Sequence, residues 1–330
     1  MIKNSKIYIA GHTGLVGSAC LRRLEKEGYE NIVKKTHQEL DLTHQVEVED
    51  FFKTEKPQYV ILAAAKVGGI QANVNYPAQF IYENIAIQNN VIHFAYLYGV
   101  EKLLFFGSAC SYPRECPQPM KEEYLLSGYL EPTNEPYAVA KIAGMKMCEA
   151  YNKQYKTNYV CAIPTNVYGP NDNFDTNNSH VIPAFIIKFH TAKIKEQKSV
   201  ILWGTGNPAR EFVYVDDLAE ACLFLMRNYN SSEIINVGSG EEISIKNLAY
   251  LIKDVIGYHG EITFDTSKPD GAPRKVLDGS KLKNIGWEAK TSLQEGIRKT
   301  YQWYLKLVEK TRHEYMSVDI FKEKKGGSNI

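Results

Sequence analysis

Through the first half of the chain, short β-rich apolar runs alternate with stretches whose apolar residues recur at helical spacing. KIYIA (6–10) precedes a helix expected over about 18–27, NIVKKT (31–36) one over about 46–54, and YVILAAA (59–65) a long one over about 78–98, before KLLFFGS (102–108). CAIPTNVYGP (161–170) supplies a further strand and a turn. Strands that read as continuous apolar runs and alternate with helices predict a parallel sheet covered on both faces, an α/β fold of the Rossmann, doubly wound type. From Asn171 the texture changes. NDNFDTNNSH (171–180) is polar, VIPAFIIKFHTAKI (181–194) reads as an amphipathic helix, and VILWGTG, EFVYVDD and IINVGSG read as short strands ending in turns. A smaller lobe interleaved with the first domain is expected. The division this predicts is a dinucleotide-binding domain over 1–170 with returning segments near 209–255, a substrate lobe over 171–208 and 256–315, and a disordered tail over 316–330, which ends in the charged, glycine-containing KEKKGGSNI.

Two local patterns carry chemistry. GHTGLVG follows the first strand and opens a helix, so Gly11, Gly14 and Gly17 allow a tight turn whose backbone amides approach a pyrophosphate at the positive helix end. At the end of the second strand, where an NAD-binding sheet places an acidic residue, the chain reads Lys34-Lys35-Thr36-His37 with no carboxylate in that place. Cations there favour a 2′-phosphate, hence NADPH. The second pattern is Tyr137 and Lys141, which share a helix face at i and i+4. Lowering a phenol from about 10 to about 7 takes roughly 4 kcal/mol, and an ammonium about 4 Å away supplies about that at an effective dielectric of 20. Such a pair makes a proton donor. Ser108, at the carboxyl end of a strand, completes a Ser-Tyr-Lys set able to polarise a carbonyl.

Composition narrows the partners. Lys plus Arg is 39 against 38 Asp plus Glu among 330 residues, a net charge of +1 that gives no reason to expect nucleic acid. No apolar run reaches the roughly 18 residues of a membrane span, and the N-terminus lacks the pattern of a signal peptide. Six cysteines without CxxC spacing read as reduced thiols in a cytoplasmic protein, with no metal site expected.

Together, the three glycines, Ser108 and Tyr137-Ala-Val-Ala-Lys141 resemble the extended short-chain dehydrogenase/reductase family. Within that family, LAAAKVGGI (62–70), NEPYAVAKIAG (134–144), PTNVYGPNDNF (164–174), NSHVIPA (178–184), AREF (209–212) and SKPDGAPRK (267–275) resemble the branch that epimerises and reduces GDP-linked 4-keto-6-deoxy sugars. The likeness runs over about 6–305. It implies that Ser108, Tyr137 and Lys141 carry an NADPH-dependent C4 reduction, while Cys110 and His180 exchange protons at C3 and C5, giving GDP-L-fucose. It places the cofactor on Gly11, Thr13, Gly14, Leu15, Val16 and Gly17, on His37, Asp41 and Leu42, on Ala63, Ala64 and Ala65, and on Pro164, Asn166 and Val167, with Tyr137, Lys141 and His180 reaching it. A GDP-linked ketosugar falls to Ser108, Ala109, Cys110, Asn166, Asn178, Lys188, Trp203, Arg210 and Lys275, and a homodimer built on the helices near 78–98 and 136–155 is implied.

The chain departs from the branch pattern in four places. Thr13 and His37 stand where arginines help hold a 2′-phosphate, and Lys188 replaces an arginine fork by a point charge. Ala109 and Ser111 flank Cys110 in GSACSYP where the branch shows GSSCIYP. The last departure opens a second expectation, a C4-reductase of a GDP-4-keto-6-deoxy-heptose with or without epimerisation. A nucleotide-binding sensor without turnover is a third, disfavoured by retention of both Tyr137 and Lys141.

Overall fold

The structure, a computed structural model, describes residues 1–175, 179–268 and 270–323, with side chains as far as residue 310. The chain runs through β1 (Ile7–Ala10), α1 (Leu15–Lys26), β2 (Ile32–Lys35), α2 (Gln45–Glu55), β3 (Tyr59–Leu62), α3 (Ile70–Asn75), α4 (Pro77–Leu97), β4 (Lys102–Phe106), α5 (Glu135–Tyr155) and β5 (Tyr159–Pro164). It continues through β6 (Asn166–Tyr168), α6 (Val181–Ile194), β7 (Ser199–Trp203), β8 (Ala209–Tyr214), α7 (Val215–Asn228), β9 (Ile235–Val237), β10 (Glu242–Ser244), α8 (Ile245–Ile256), β11 (Glu261–Asp265), β12 (Arg274–Lys275), α9 (Ser280–Asn284) and α10 (Leu293–Glu323).

The main sheet has the order β2-β1-β3-β4-β5-β9, and every neighbouring pair is parallel. Its inner strands β1, β3 and β4 are buried on both faces, as their apolar sequences require, whereas the edge strand β2 is partly exposed. One face buries Ile7, Ile9 and Leu104 with Cys20 and Leu24 of α1 and Leu218 and Cys222 of α7. The other buries Tyr8, Val60 and Phe105 with Phe51 and Phe52 of α2, Val91 of α4 and Met145 of α5. Strand order reverses at β1/β3, so the carboxyl ends of these strands open the crevice in which such sheets bind ligands.

The division between lobes differs from the predicted one at two points. The chain leaves the large sheet at Pro164, not near 170: proline cannot extend the ladder as a donor, Thr165 N–H closes onto the Val237 carbonyl (3.0 Å), and β6 pairs with β8 of the second lobe. The returning segment is also shorter than 209–255. α7 and β9 join the large domain, whereas β10 and α8 belong to the small lobe, where Leu248, Ile252 and Ile256 share a core with Ile182, Ile186 and Phe189 of α6. That lobe contains the β10-β8-β12 sheet with β6 beside β8, and the pair β7–β11. α10 continues to Glu323, so the start of the segment expected to be disordered is helical.

Candidate active site

At the glycine turn, Gly11 adopts φ +81°, and a Cβ there would stand 2.7 Å from the Ala64 backbone nitrogen. A Cβ on Gly17 would come within 2.1 Å of the Gly11 carbonyl oxygen. The turn therefore closes only with glycine at both places; it sets Gly11 against the backbone of Ala63 and Ala64, just past the end of β3, and leads through Thr13 into α1 at Leu15 and Val16. Helix α1 begins at Leu15, three residues before the sequence suggested. Gly14 is its N-cap, with no side chain bonded to the first free amides, which leaves them available to an anion.

At the end of β2, His37 stands 3.9 Å from Asp41, and the buried Leu42 accepts from Asn90 through its carbonyl (2.9 Å). A carboxylate does return to this corner, contrary to the linear reading. Glu39 folds back to accept from the backbone and hydroxyl of Thr36, both at 2.8 Å, where Lys35 and His12 are close enough to act on its charge. Only the turn at 36–39 makes that visible.

The chemistry-bearing side chains gather where β4 ends. Ser108 caps a 3-10 turn, Ala109–Ser111, its hydroxyl oxygen accepting from Cys110 N–H at 3.2 Å. That leaves the Ser108 O–H for Tyr137, on the first turn of α5. Helix α5 lies close on β4 because Gly144 has no Cβ, which would stand 2.4 Å from the Phe105 ring. This approach lets buried Lys141 donate to the Phe106 carbonyl at 3.0 Å.

The electrostatics run opposite to the sequence expectation. Burial raises the Tyr137 phenol above the ordinary tyrosine range, with Cys110 adding to the rise, and the Ser108 hydrogen bond only partly opposes them. Burial also draws Lys141 down to about 8. The ammonium is held toward β4 by the Phe106 carbonyl, 5.9 Å from the Tyr137 ring centre, which limits what it offers a phenolate. Desolvation of a phenolate exceeds this. Tyr137 thus holds its proton firmly, as a donor in waiting.

The remaining predicted residues stand on the small-lobe side. His180 begins α6, half exposed, with Nδ1 3.8 Å from buried Asp172. It lines a cleft of about 350 Å³ with Asn166, Val167 and Trp203, and with Gly69, Ile70 and Gln71 at the start of α3. The same short helix contacts the 3-10 turn Pro132–Asn134 next to Tyr137 and so spans the two groups. Arg210 and Lys275 sit side by side on neighbouring strands. Lys188 and Lys268 both lie over the exposed Trp203 ring, 6.0 and 5.8 Å from its centre. Asn178 lies outside the described residues.

Three contributors escaped the sequence reading. Asp172 supports His180 and has one buried carboxylate oxygen without a hydrogen bond. Asn134 donates to the Cys110 sulfur at 3.2 Å. Glu211, wholly buried, accepts from Gly240 N–H (2.8 Å) and Leu277 N–H (2.9 Å), while its carbonyl accepts from Thr165 (3.1 Å) and Asn166 (2.8 Å). All three lie in stretches that stood out in the sequence, NDNF, NEPY and AREF, but spacing does not reveal what they touch.

A parallel sheet with a glycine turn at its switch point and a Ser-Tyr-Lys set at the end of β4 defines a nucleotide-dependent short-chain oxidoreductase architecture. The chain belongs to the NAD dependent epimerase/dehydratase family, whose model matches residues 7–238. It is 58% identical over 306 residues to the putative GDP-L-fucose synthase 2 of Arabidopsis thaliana, covering 93% of each chain. It is 49% identical over 320 residues to the GDP-L-fucose synthase of Escherichia coli, covering 94% of this chain and all of the relative. Among solved structures, the GDP-mannoheptose C4 reductase of Campylobacter jejuni with NADP bound superposes with a TM-score of 0.85 at 45% identity, over 92% of this chain and 99% of that one.

Proposed function

We propose that the protein is an NADPH-dependent epimerase-reductase that inverts C3 and C5 of GDP-4-keto-6-deoxy-mannose and reduces C4, giving GDP-L-fucose. The observation that carries this reading is the gathering of Ser108, Cys110, Tyr137 and Lys141 at one strand end, in a chain nearly 60% identical to a relative of that name.

The residues fit the cofactor. The cradle that a Cβ at Gly11 or Gly17 would fill, and the uncapped amides of α1, suit a pyrophosphate; Lys35 and His37 suit a 2′-phosphate, with the Glu39 carboxylate beside them tied to Thr36 and Lys34 paired with Glu25. NADPH, when bound, supplies the hydride for C4. The protein's part begins with Cys110 as thiolate, which removes a proton from the carbon beside the ketone and becomes a thiol. The C–H electron pair moves onto the ketone oxygen, held by the hydroxyls of Ser108 and Tyr137. His180, protonated and held by Asp172, returns a proton to the opposite face and is left neutral. Between rounds Cys110 releases its proton to solvent and His180 takes one up from solvent, so that two such rounds invert both carbons. Tyr137 then gives its proton to the C4 alkoxide, and Lys141 compensates the phenolate. Arg210 and Lys275 face the diphosphate, with Lys188, Trp203 and Asn166 completing the GDP side.

Because Lys141 supports this step only as an ammonium, its loss of a proton removes activity as pH rises. The value of kcat/KM for reduction should fall by about tenfold per pH unit above about 8, which a pH–rate profile of the purified enzyme checks.

A GDP-4-keto-6-deoxy-heptose is the alternative substrate. It is favoured by Ala109 and Ser111 beside Cys110 and by the likeness to a heptose C4 reductase. Purified protein given each ketosugar with NADPH in deuterated water separates the two. Deuterium at C3 and C5 with GDP-L-fucose as product supports the first reading, and turnover of the heptose alone overturns it. We further infer a cytoplasmic homodimer, supported by reduced cysteines and by Tyr82, Leu97, Val139 and Tyr155 exposed on α4 and α5.

A further inference from the structure

An asparagine at a helix N-cap ordinarily uses its side-chain oxygen to accept from one of the first free backbone amides. Asn134 is the N-cap of α5 and makes no such bond. Its amide nitrogen is turned instead to the sulfur of Cys110, 3.2 Å away, and its carbonyl oxygen is buried without a hydrogen-bond partner. The side chain has given up the usual role of an N-cap asparagine and keeps one contact, to a thiol.

Nothing local imposes that contact. The two residues are 24 apart in sequence, on separate 3-10 turns, Ala109–Ser111 after β4 and Pro132–Asn134 before α5. Both turns pack against α5. The Cys110 backbone is fixed by its N–H to Ser108, so the remaining freedom is rotation of the side chain, which an N–H donor on the sulfur removes.

We propose that Asn134 is a positioning residue for Cys110: its amide donates to the sulfur and holds it ready to take a proton from the sugar carbon. The proposal rests on the reading of Cys110 as the base. A donor on sulfur favours the thiolate over the thiol, because a hydrogen bond to an ionised acceptor is the stronger one. The proton-transfer step is unchanged in its balance. The thiolate gains the carbon's proton, the electron pair passes to the ketone oxygen, and the amide keeps both its hydrogens.

The full-length protein and two variants test this. Asn134→Asp keeps the shape and replaces the donor by an acceptor; Asn134→Ala removes both. Two rates are read at fixed pH: alkylation of Cys110 by iodoacetamide, followed by mass spectrometry, and deuterium exchange into GDP-4-keto-6-deoxy-mannose without NADPH, at saturating sugar. Both variants should slow both rates by about tenfold or more. Alkylation of the half-buried Cys116, six residues along the same connection between β4 and α5, should stay at the wild-type rate and so shows that this connection keeps its fold. Wild-type rates in Asn134→Asp overturn the proposal, including the case in which the amide is turned and its carbonyl accepts from the thiol, since aspartate preserves that contact. Cys110→Ser separates the two ideas. Exchange that survives this change removes Cys110 as the base and the proposal with it. Exchange lost there but intact in the Asn134 variants overturns the role of Asn134 alone.

Discussion

Tyr137→Phe should lower the rate of ketone reduction by about 10²–10⁴-fold, the usual contribution of a positioned proton donor. The substitution deletes one oxygen and keeps the ring, so the edge-on contact with Phe80 (centroids 6.1 Å apart) and the seat of α5 on β4 are retained. The effect is large because burial holds the phenol in its protonated form across the working range, and the Ser108 hydroxyl beside it is a weaker acid. NADPH consumption with the ketosugar measures the loss. Deuterium exchange at C3 and C5 should fall much less, since Ser108 still holds the enolate oxygen. A Tyr137→Phe enzyme that reduces within tenfold of wild type would remove the phenol from its assigned role.

Glu211→Ala should cost about 3–5 kcal/mol of stability, read as a lower urea midpoint. The carboxylate is wholly buried and satisfies the amides of Leu277 and Gly240, so its loss leaves these donors unpaired and opens a cavity. Burial raises this carboxyl above its ordinary range, and those same N–H bonds oppose the rise. Glu211→Gln retains one acceptor but turns an NH2 group toward a donor, and should recover only part of the loss. Activity should suffer too, because Glu211 joins the strand that carries Arg210 to Leu277, two residues past Lys275. An unchanged midpoint in Glu211→Ala would show that water satisfies those amides.

Much of this fold was legible because its main sheet is built from unbroken apolar runs, and β1, β3, β4 and β5 declare themselves by that property alone. α3 did not, since VGGIQANVN is short, polar and glycine-led, and only packing against the turn before α5 makes it a helix. The exit at Pro164 was hidden because β5 and β6 are nearly continuous in sequence yet belong to different sheets. At the site, the i, i+4 spacing of Tyr137 and Lys141 was readable, but its electrostatic sense was not. The Phe106 carbonyl that draws the lysine comes from a strand 35 residues earlier, and burial, which sets the direction of both shifts, is a property of the assembled domain. The partners of Cys110 and His180 were missed for the same reason. Asn134 and Asp172 look like ordinary loop residues until the chain has folded around them.

β8 ends at Tyr214 and α7 begins at Val215, with no residue between them. The piece of backbone that carries Arg210 in the small lobe therefore passes directly into the helix that packs on α1 beneath the glycine turn. A lever without a joint cannot fold in half. The register of Arg210 against the glycine turn is thereby carried by one uninterrupted piece of backbone, with no loop at that crossing.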